Sequence, residues 1–128
     1  MNTLNFAPML YIRSGIRDVS FYTKALDAVE IRRFTNDDES IHVVEFSIAG
    51  KLFHLHEENH EKKQYSHQSI QGTSVNIGLF VEDVDAIMNK AIAAGAEVVS
   101  PAQDYEYGYR QGEFKDPFGH LWQIEKKI

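Results

Sequence analysis

Val75-Asn76-Ile77-Gly78-Leu79-Phe80-Val81, followed by Glu82-Asp83 and then by the spaced apolar set Val84, Ile87, Met88 and Ala91, is the stretch on which the fold turns. In its first part aliphatic side chains stand at every second position, the period of a strand with one covered face. Val75, Ile77, Leu79 and Val81 therefore share one side, and Asn76, Gly78 and Phe80 the other. Past Asp83 the apolar period lengthens to three and four, as on a helix with a single stripe, and Gly95 supplies a C-terminal stop. A strand that runs straight into a striped helix predicts a β-α unit whose helix is buried against its own sheet.

Working outward, Ala96 to Ser100 reads as the next strand, closed by Pro101. Two more strands lie between Tyr107 and Phe114 and between His120 and Glu125. Asp116-Pro117-Phe118-Gly119 between them has the composition of a turn. The N-terminal half repeats this order. Pro8 to Ile12 is a short strand, Ser14-Gly15 breaks it, and Ile16 to Leu26 has helical periodicity with Val19, Tyr22, Ala25 and Leu26 on one face. Val29 to Thr35, Ser40 to Ile48 and Lys51 to His56 follow as strands, joined at Asn36-Asp37-Asp38 and Ala49-Gly50. Asn59 to Thr73 is mostly polar and reads as an exposed connector.

The expected architecture is thus α+β: one domain over residues 1–128, with module 1 at 5–58, the connector at 59–73 and module 2 at 74–128. Two paired βαβββ modules of this size cannot bury a core alone, so they should join in a curved, mostly antiparallel sheet around a cleft. Composition agrees with one compact domain: 128 residues, 43% hydrophobic and 25% charged. A formal net charge of −6 with scattered basic residues argues against a nucleic-acid partner. No apolar run approaches membrane-spanning length, and Met1 to Phe6 lacks the features of a signal peptide. Zero cysteines remove disulfides and thiolate chemistry, and the cytoplasm is the expected compartment.

Strand alternation assigns candidate site residues. Phe53 and Leu55 suit the core, which turns Leu52, His54 and His56 to the cleft; Trp122 and Ile124 likewise turn Leu121, Gln123 and Glu125 there. Leu10 and Ile12 leave Ala7, Met9 and Tyr11 on the cleft side. His54 and His56 at i, i+2 are able to set two imidazoles on one metal, or to stand as a solvated surface pair. Asn76 and Gln123 offer amides to a polar ligand, or to each other. Tyr11, Phe46, Phe80, Tyr105 and Tyr107 form a candidate aromatic wall, part of which ordinary core packing explains. Arg110, within Tyr107-Gly108-Tyr109-Arg110-Gln111-Gly112, is set to pair with an acidic ligand group or with a carboxylate of the protein.

Val81-Glu82-Asp83-Val84-Asp85-Ala86, Ala93-Ala94-Gly95-Ala96 and Asp116-Pro117-Phe118-Gly119-His120-Leu121-Trp122 together resemble the second half of a PhnB-like member of the vicinal oxygen chelate superfamily. This superfamily includes glyoxalase I, the bleomycin-resistance proteins and the extradiol dioxygenases. Phe21-Tyr22, Ala25-Leu26 and Phe46 to Lys51 match its first half less tightly. The resemblance implies the paired fold, a homodimer and a small-molecule ligand. The ligand positions of its metal-using members fall here at Ala7, His54, Asn76 and Gln123. Alanine donates nothing to a metal, and neutral amides are weak ligands beside imidazole or carboxylate.

The expectation is therefore a glyoxalase/bleomycin-resistance-like protein that binds a small molecule in its cleft without cofactor or metal, through Tyr11, Phe46, His54, His56, Asn76, Phe80, Arg110 and Gln123. The alternative is a metal-dependent lyase, isomerase or dioxygenase with one divalent ion on His54, His56 and their neighbours. Whether the chain is an enzyme stays open, because this fold hosts many chemistries.

Overall fold

Two four-stranded sheets with the same internal order carry the chain, and the computed structural model describes residues 4–128. Met1 to Thr3, part of the stretch read above for a leader, lie outside the described residues. The first module runs β1 (Met9–Ile12), α1 (Phe21–Leu26), β2 (Val29–Thr35), β3 (Ile41–Ile48) and β4 (Lys51–Glu57). A short helix α2 (His67–Ile70) precedes the second, which runs β5 (Asn76–Phe80), α3 (Val84–Ala93), β6 (Glu97–Tyr105), β7 (Tyr109–Lys115) and β8 (Leu121–Lys127). The sheets are ordered β1-β4-β3-β2 and β5-β8-β7-β6, each with one parallel pair, β1 with β4 and β5 with β8, and antiparallel pairs elsewhere. No helix among the described residues is long and apolar enough to cross a membrane.

α3 begins where its cap says it should, since the Asp83 carboxylate accepts from the Ala86 amide at 3.0 Å and satisfies a donor left over by the first turn. Its end at Ala93 is followed by Gly95 at φ +114, a left-handed position that costs glycine little. α1 is shorter than the predicted Ile16–Leu26. The Ile16 carbonyl accepts from Ile41 N at 2.7 Å and the Ser20 amide donates to Asp18 at 2.9 Å, so both groups are tied up outside any helix. β6 also departs from expectation by running through Pro101 to Tyr105. It is an edge strand, and its register shifts between Ser100 and Gln103, where a residue without an N–H does least harm.

The two helices pack on one another, and the helix-covered faces of both sheets meet across them. Phe53 of β4 and Trp122 of β8 touch edge to face at 5.6 Å, and the Tyr22 ring of α1 lies 5.3 Å from Phe53 and 5.9 Å from Trp122. One continuous core results, with Leu10, Ile12, Leu55, Trp122 and Ile124 buried from the faces assigned by alternation and Phe114 buried among them. Asp116 stands within it at 3% exposure. Its carboxylate accepts from Tyr22 Oη at 2.5 Å, Trp122 Nε1 at 3.0 Å and the amides of Phe118 and His120 at 2.8 and 3.0 Å. The turn is thus also a polar rivet between the modules, since every lone pair that burial would leave bare has a donor.

The connector is mostly exposed, as its composition suggests, yet it is tied down. Ser66 is fully buried and caps α2 by accepting from Ser69 N at 3.1 Å, while Gln68 Nε2 donates to Pro117 O at 3.0 Å. Ser66 thus serves the connector's own helix, and Gln68 ties that helix to the second module.

Candidate ligand-binding faces

Each sheet keeps one face that no helix of the described residues covers. On the first, the register sets Met9 and Glu45 beside His54, and Tyr11 and Val43 beside His56. The His54 and His56 rings stack at 5.7 Å with 16° between their planes, and Tyr11 approaches His56 edge-on at 6.3 Å. Burial lowers the His56 pKa below the ordinary histidine value, and His54 and His42 push it further down against the opposing pull of Glu45. Its buried Nε2 has no hydrogen-bond partner, which suits a neutral ring with a bare lone pair.

On the second sheet β5, β8 and β7 bring together Asn76, Gln123, Glu113, Glu125 and Gln111. Asn76 Nδ2 lies 3.2 Å from Glu113 Oε2 and 3.4 Å from Gln123 Oε1; Gln123 Nε2 donates to Glu125 at 3.2 Å, and Gln111 Nε2 to the same carboxylate at 3.0 Å. The Tyr107 hydroxyl donates to Gln111 in turn. Asn76 and Gln123 thus bond each other, as one sequence alternative had it, within a network that also holds two carboxylates. Glu113 was absent from the sequence-based candidates. The signal was present, because buried Phe114 fixes the parity of β7 and places Gln111 and Glu113 on the uncovered side.

The remaining candidates separate. Phe46 is 1% exposed and stacks on Phe53 inside the core, so it is removed from the aromatic wall by β3 turning it inward. Phe80 is 69% exposed at the open edge of β5. Tyr105 and Tyr107 stack at 5.4 Å in the β6–β7 hairpin, apart from Tyr11 on the other sheet. Arg110 lies on the helix side of β7. Its guanidinium reaches both carboxylate oxygens of Asp85 on α3 at 2.9 Å and Asp104 on β6 at 2.9 Å, which makes it a partner of protein carboxylates and not of the Gln123 face.

Among the described residues no hydrogen bond, ion pair or ring contact joins the His54 face to the Asn76 and Gln123 face, and no group of three or more His, Asp or Glu side chains is gathered so as to hold a metal ion. Of the four family ligand positions Ala7 carries no donor, and His54 is on a different sheet from Asn76 and Gln123. The donor set of one chain does not fit the metal centre of metal-using relatives.

This geometry of paired βαβββ modules meets its match in known proteins. The model of the glyoxalase/bleomycin resistance protein/dioxygenase superfamily matches residues 9–124, and the chain belongs to that superfamily. An uncharacterized protein of Mycobacterium tuberculosis, Rv0887c, is 34% identical over 125 residues, which span 95% of this chain and 74% of that protein. Among solved structures, a gene product of Arabidopsis thaliana superposes with a TM-score of 0.73 at 26% identity, over 96% of this chain and 98% of that one. The fosfomycin resistance protein FosX of Listeria monocytogenes shares the fold with a TM-score of 0.69 at 19% identity, over 100% of this chain and 96% of that one.

Proposed function

We propose that this chain is a small-molecule-binding member of the superfamily, of its PhnB-like branch, that acts in the cytoplasm as a homodimer. The ligand lies between the His54 face of one copy and the Asn76 and Gln123 face of the other, without a catalytic metal. One observation carries the reading: both faces are open in a single chain, each with polar groups at its centre and exposed Met9 or Phe80 beside it. Among the described residues no strand pairs with the outer edges of β1 and β5, which a second copy would cover. The amides and Glu113 orient a polar group of the ligand, while Tyr11, Met9 and Phe80 receive its apolar body.

Light scattering should give twice the chain mass. A thermal-shift screen of planar drugs, thiol adducts and 2-oxo compounds should find a binder, since a ligand at about 100 times its dissociation constant adds about 2.7 kcal/mol of stability. The shift should vanish in the Asn76→Leu, Gln123→Leu double variant at unchanged unliganded stability. A monomer, a shift that survives the double variant, or one tightly bound divalent ion per chain overturns the proposal.

The stacked His54 and His56 favour a second reading, a metal-dependent lyase, isomerase or dioxygenase whose ion takes imidazole from one copy and Glu113 from the other. Elemental analysis of the purified protein and of His54→Ala decides it: under this reading the ion is stoichiometric in the first and absent from the second.

A further inference from the structure

The connector is fastened at both ends, and the two fastenings differ in chemistry. Near its start Glu58 accepts from the Ser66 amide at 2.7 Å, from the Ser69 hydroxyl at 3.0 Å and from His60 Nε2 at 3.0 Å. Burial would raise this carboxyl, yet those donors bring it down to about 2, so this fastening persists through ordinary acid. The other fastening joins α2 to the second module, where a pair of histidines stands beside the pH-insensitive bond from Gln68 Nε2 to Pro117 O at 3.0 Å. His67 Nδ1, on α2, lies 2.9 Å from Nδ1 of His120, which precedes β8 and is 0% exposed. Thr73 sets the tautomers. Its hydroxyl donates to Val75 O at 2.6 Å, so its oxygen accepts from His67 Nε2 at 3.1 Å. With Nε2 of a neutral His67 protonated, its Nδ1 accepts from His120 Nδ1–H, and the Gly119 carbonyl 3.3 Å from the same Nδ1 gains a donor only when His67 is charged. His120 Nε2 is then a bare lone pair, in keeping with its burial without a partner.

We propose that His67 and His120 form an acid-released latch that holds the connector on the second module. The contact survives one extra proton, because a charged His67 still has Nδ1–H to give to a bare His120 Nδ1. It does not survive two, when both nitrogens carry hydrogens and both rings carry charge. Release therefore follows protonation of His120. Burial holds that ring down to about 4, with His67 pushing the same way and Asp116 and the Tyr11 backbone opposing. The charged groups lining the surrounding groove are Arg13 at the end of β1, Lys115 on β7, Glu97 on β6 and Asp116 on the turn. The two cations oppose a second positive charge and the two carboxylates favour it. The Asp116 carboxylate is already engaged by Tyr22 and Trp122. Gly119 allows the close approach of α2: a Cβ there would come within 3.2 Å of Gln68 N and 3.3 Å of His67 Cβ, so a larger residue would push the connector away from the turn.

The sign of the pH effect follows from the lowered value. A freed His120 titrates near its ordinary 6.5, so the latch is at full strength above that pH and weakens as pH falls from 6.5 toward 4. One proton taken up on release means that the opening constant rises about tenfold per pH unit in that window. The latch stands on this geometry whether or not the open faces bind a ligand.

Native-state hydrogen exchange between pH 7.5 and 4.5, corrected for the intrinsic chemical rate, reads the opening at Ser69, Ile70 and Gly72, whose amides bond back to Ser66 and His67. We expect a flat opening constant above pH 6.5, a tenfold rise per unit below it, no such rise at the amides of β3, and no slope in His120→Gln. An equal slope in His120→Gln, or an equal slope in β3, overturns the latch. Should that variant fail to fold, the His120 ring in the unaltered protein is followed by NMR: titration near 4 supports the latch and titration at 6.5 or above refutes it.

Discussion

Replacing Asp116 by alanine should cost this protein more stability than any surface change, and the reason can be worked through atom by atom. The carboxylate is 3% exposed and is the acceptor for Tyr22 Oη, Trp122 Nε1 and the amides of Phe118 and His120. Removing it strands the four donors, which have no other acceptor among the described residues, and each stranded buried donor costs about 1–3 kcal/mol. A water entering the vacated space recovers part of this, so the net loss should be about 3–5 kcal/mol, a large share of the roughly 5–15 kcal/mol typical of a domain. Tyr22→Phe removes only one hydrogen bond to the carboxylate and should cost about 1.5–3 kcal/mol. Urea unfolding gives both numbers by linear extrapolation. Because Tyr22 and Asp116 share their bond across 94 residues of chain, the double variant should be more stable than the sum predicts by about 0.5–3 kcal/mol. A loss below about 1 kcal/mol for Asp116→Ala, or strict additivity of the pair, refutes the idea that this carboxylate joins the modules.

Alkaline pH probes the same bond. Burial first, and then the Asp116 charge and hydrogen bond, raise the Tyr22 phenol well above its ordinary value of 10.0, so its contribution is present below pH 10 and is lost as pH climbs past it. Ultraviolet titration should show one of the six tyrosines silent until the protein unfolds, and Tyr22→Phe should flatten the alkaline decline. Arg110→Met should leave stability nearly unchanged, since exposed ion pairs are screened by solvent and salt; urea midpoints with and without added salt check this. Gly119→Ala should cost about 1–3 kcal/mol, because φ +92 strains any L side chain and Gln68 blocks the added methyl; the loss should appear chiefly as faster exchange in α2.

What the sequence discloses depends on the length scale of the physics. The doubled βαβββ order is legible because burial of one face imposes a local period, and Ile77, Leu79 and Val81 or Phe53 and Leu55 obey it without help from distant residues, although Val75, ahead of β5, is exposed. The helix start at Phe21 and the passage of β6 through Pro101 are not legible, since each is decided by a partner far along the chain: Ile41 for Ile16, and the outer edge position for Pro101. The same division runs through the candidate site. Alternation places His54, Asn76 and Gln123 on uncovered faces, but their grouping is a matter of how two sheets join, which Tyr22, Asp116 and Trp122 decide from inside the core. That joint turns the covered faces inward, so His54 and Gln123 have no contact in one chain, and Phe46, read as a wall residue, becomes core. Fold and function are therefore separable in this molecule. Variants of Asp116 should weaken both together, whereas variants of Asn76 or Gln123, exposed or half-exposed on an open face, should leave the fold intact and test the faces alone.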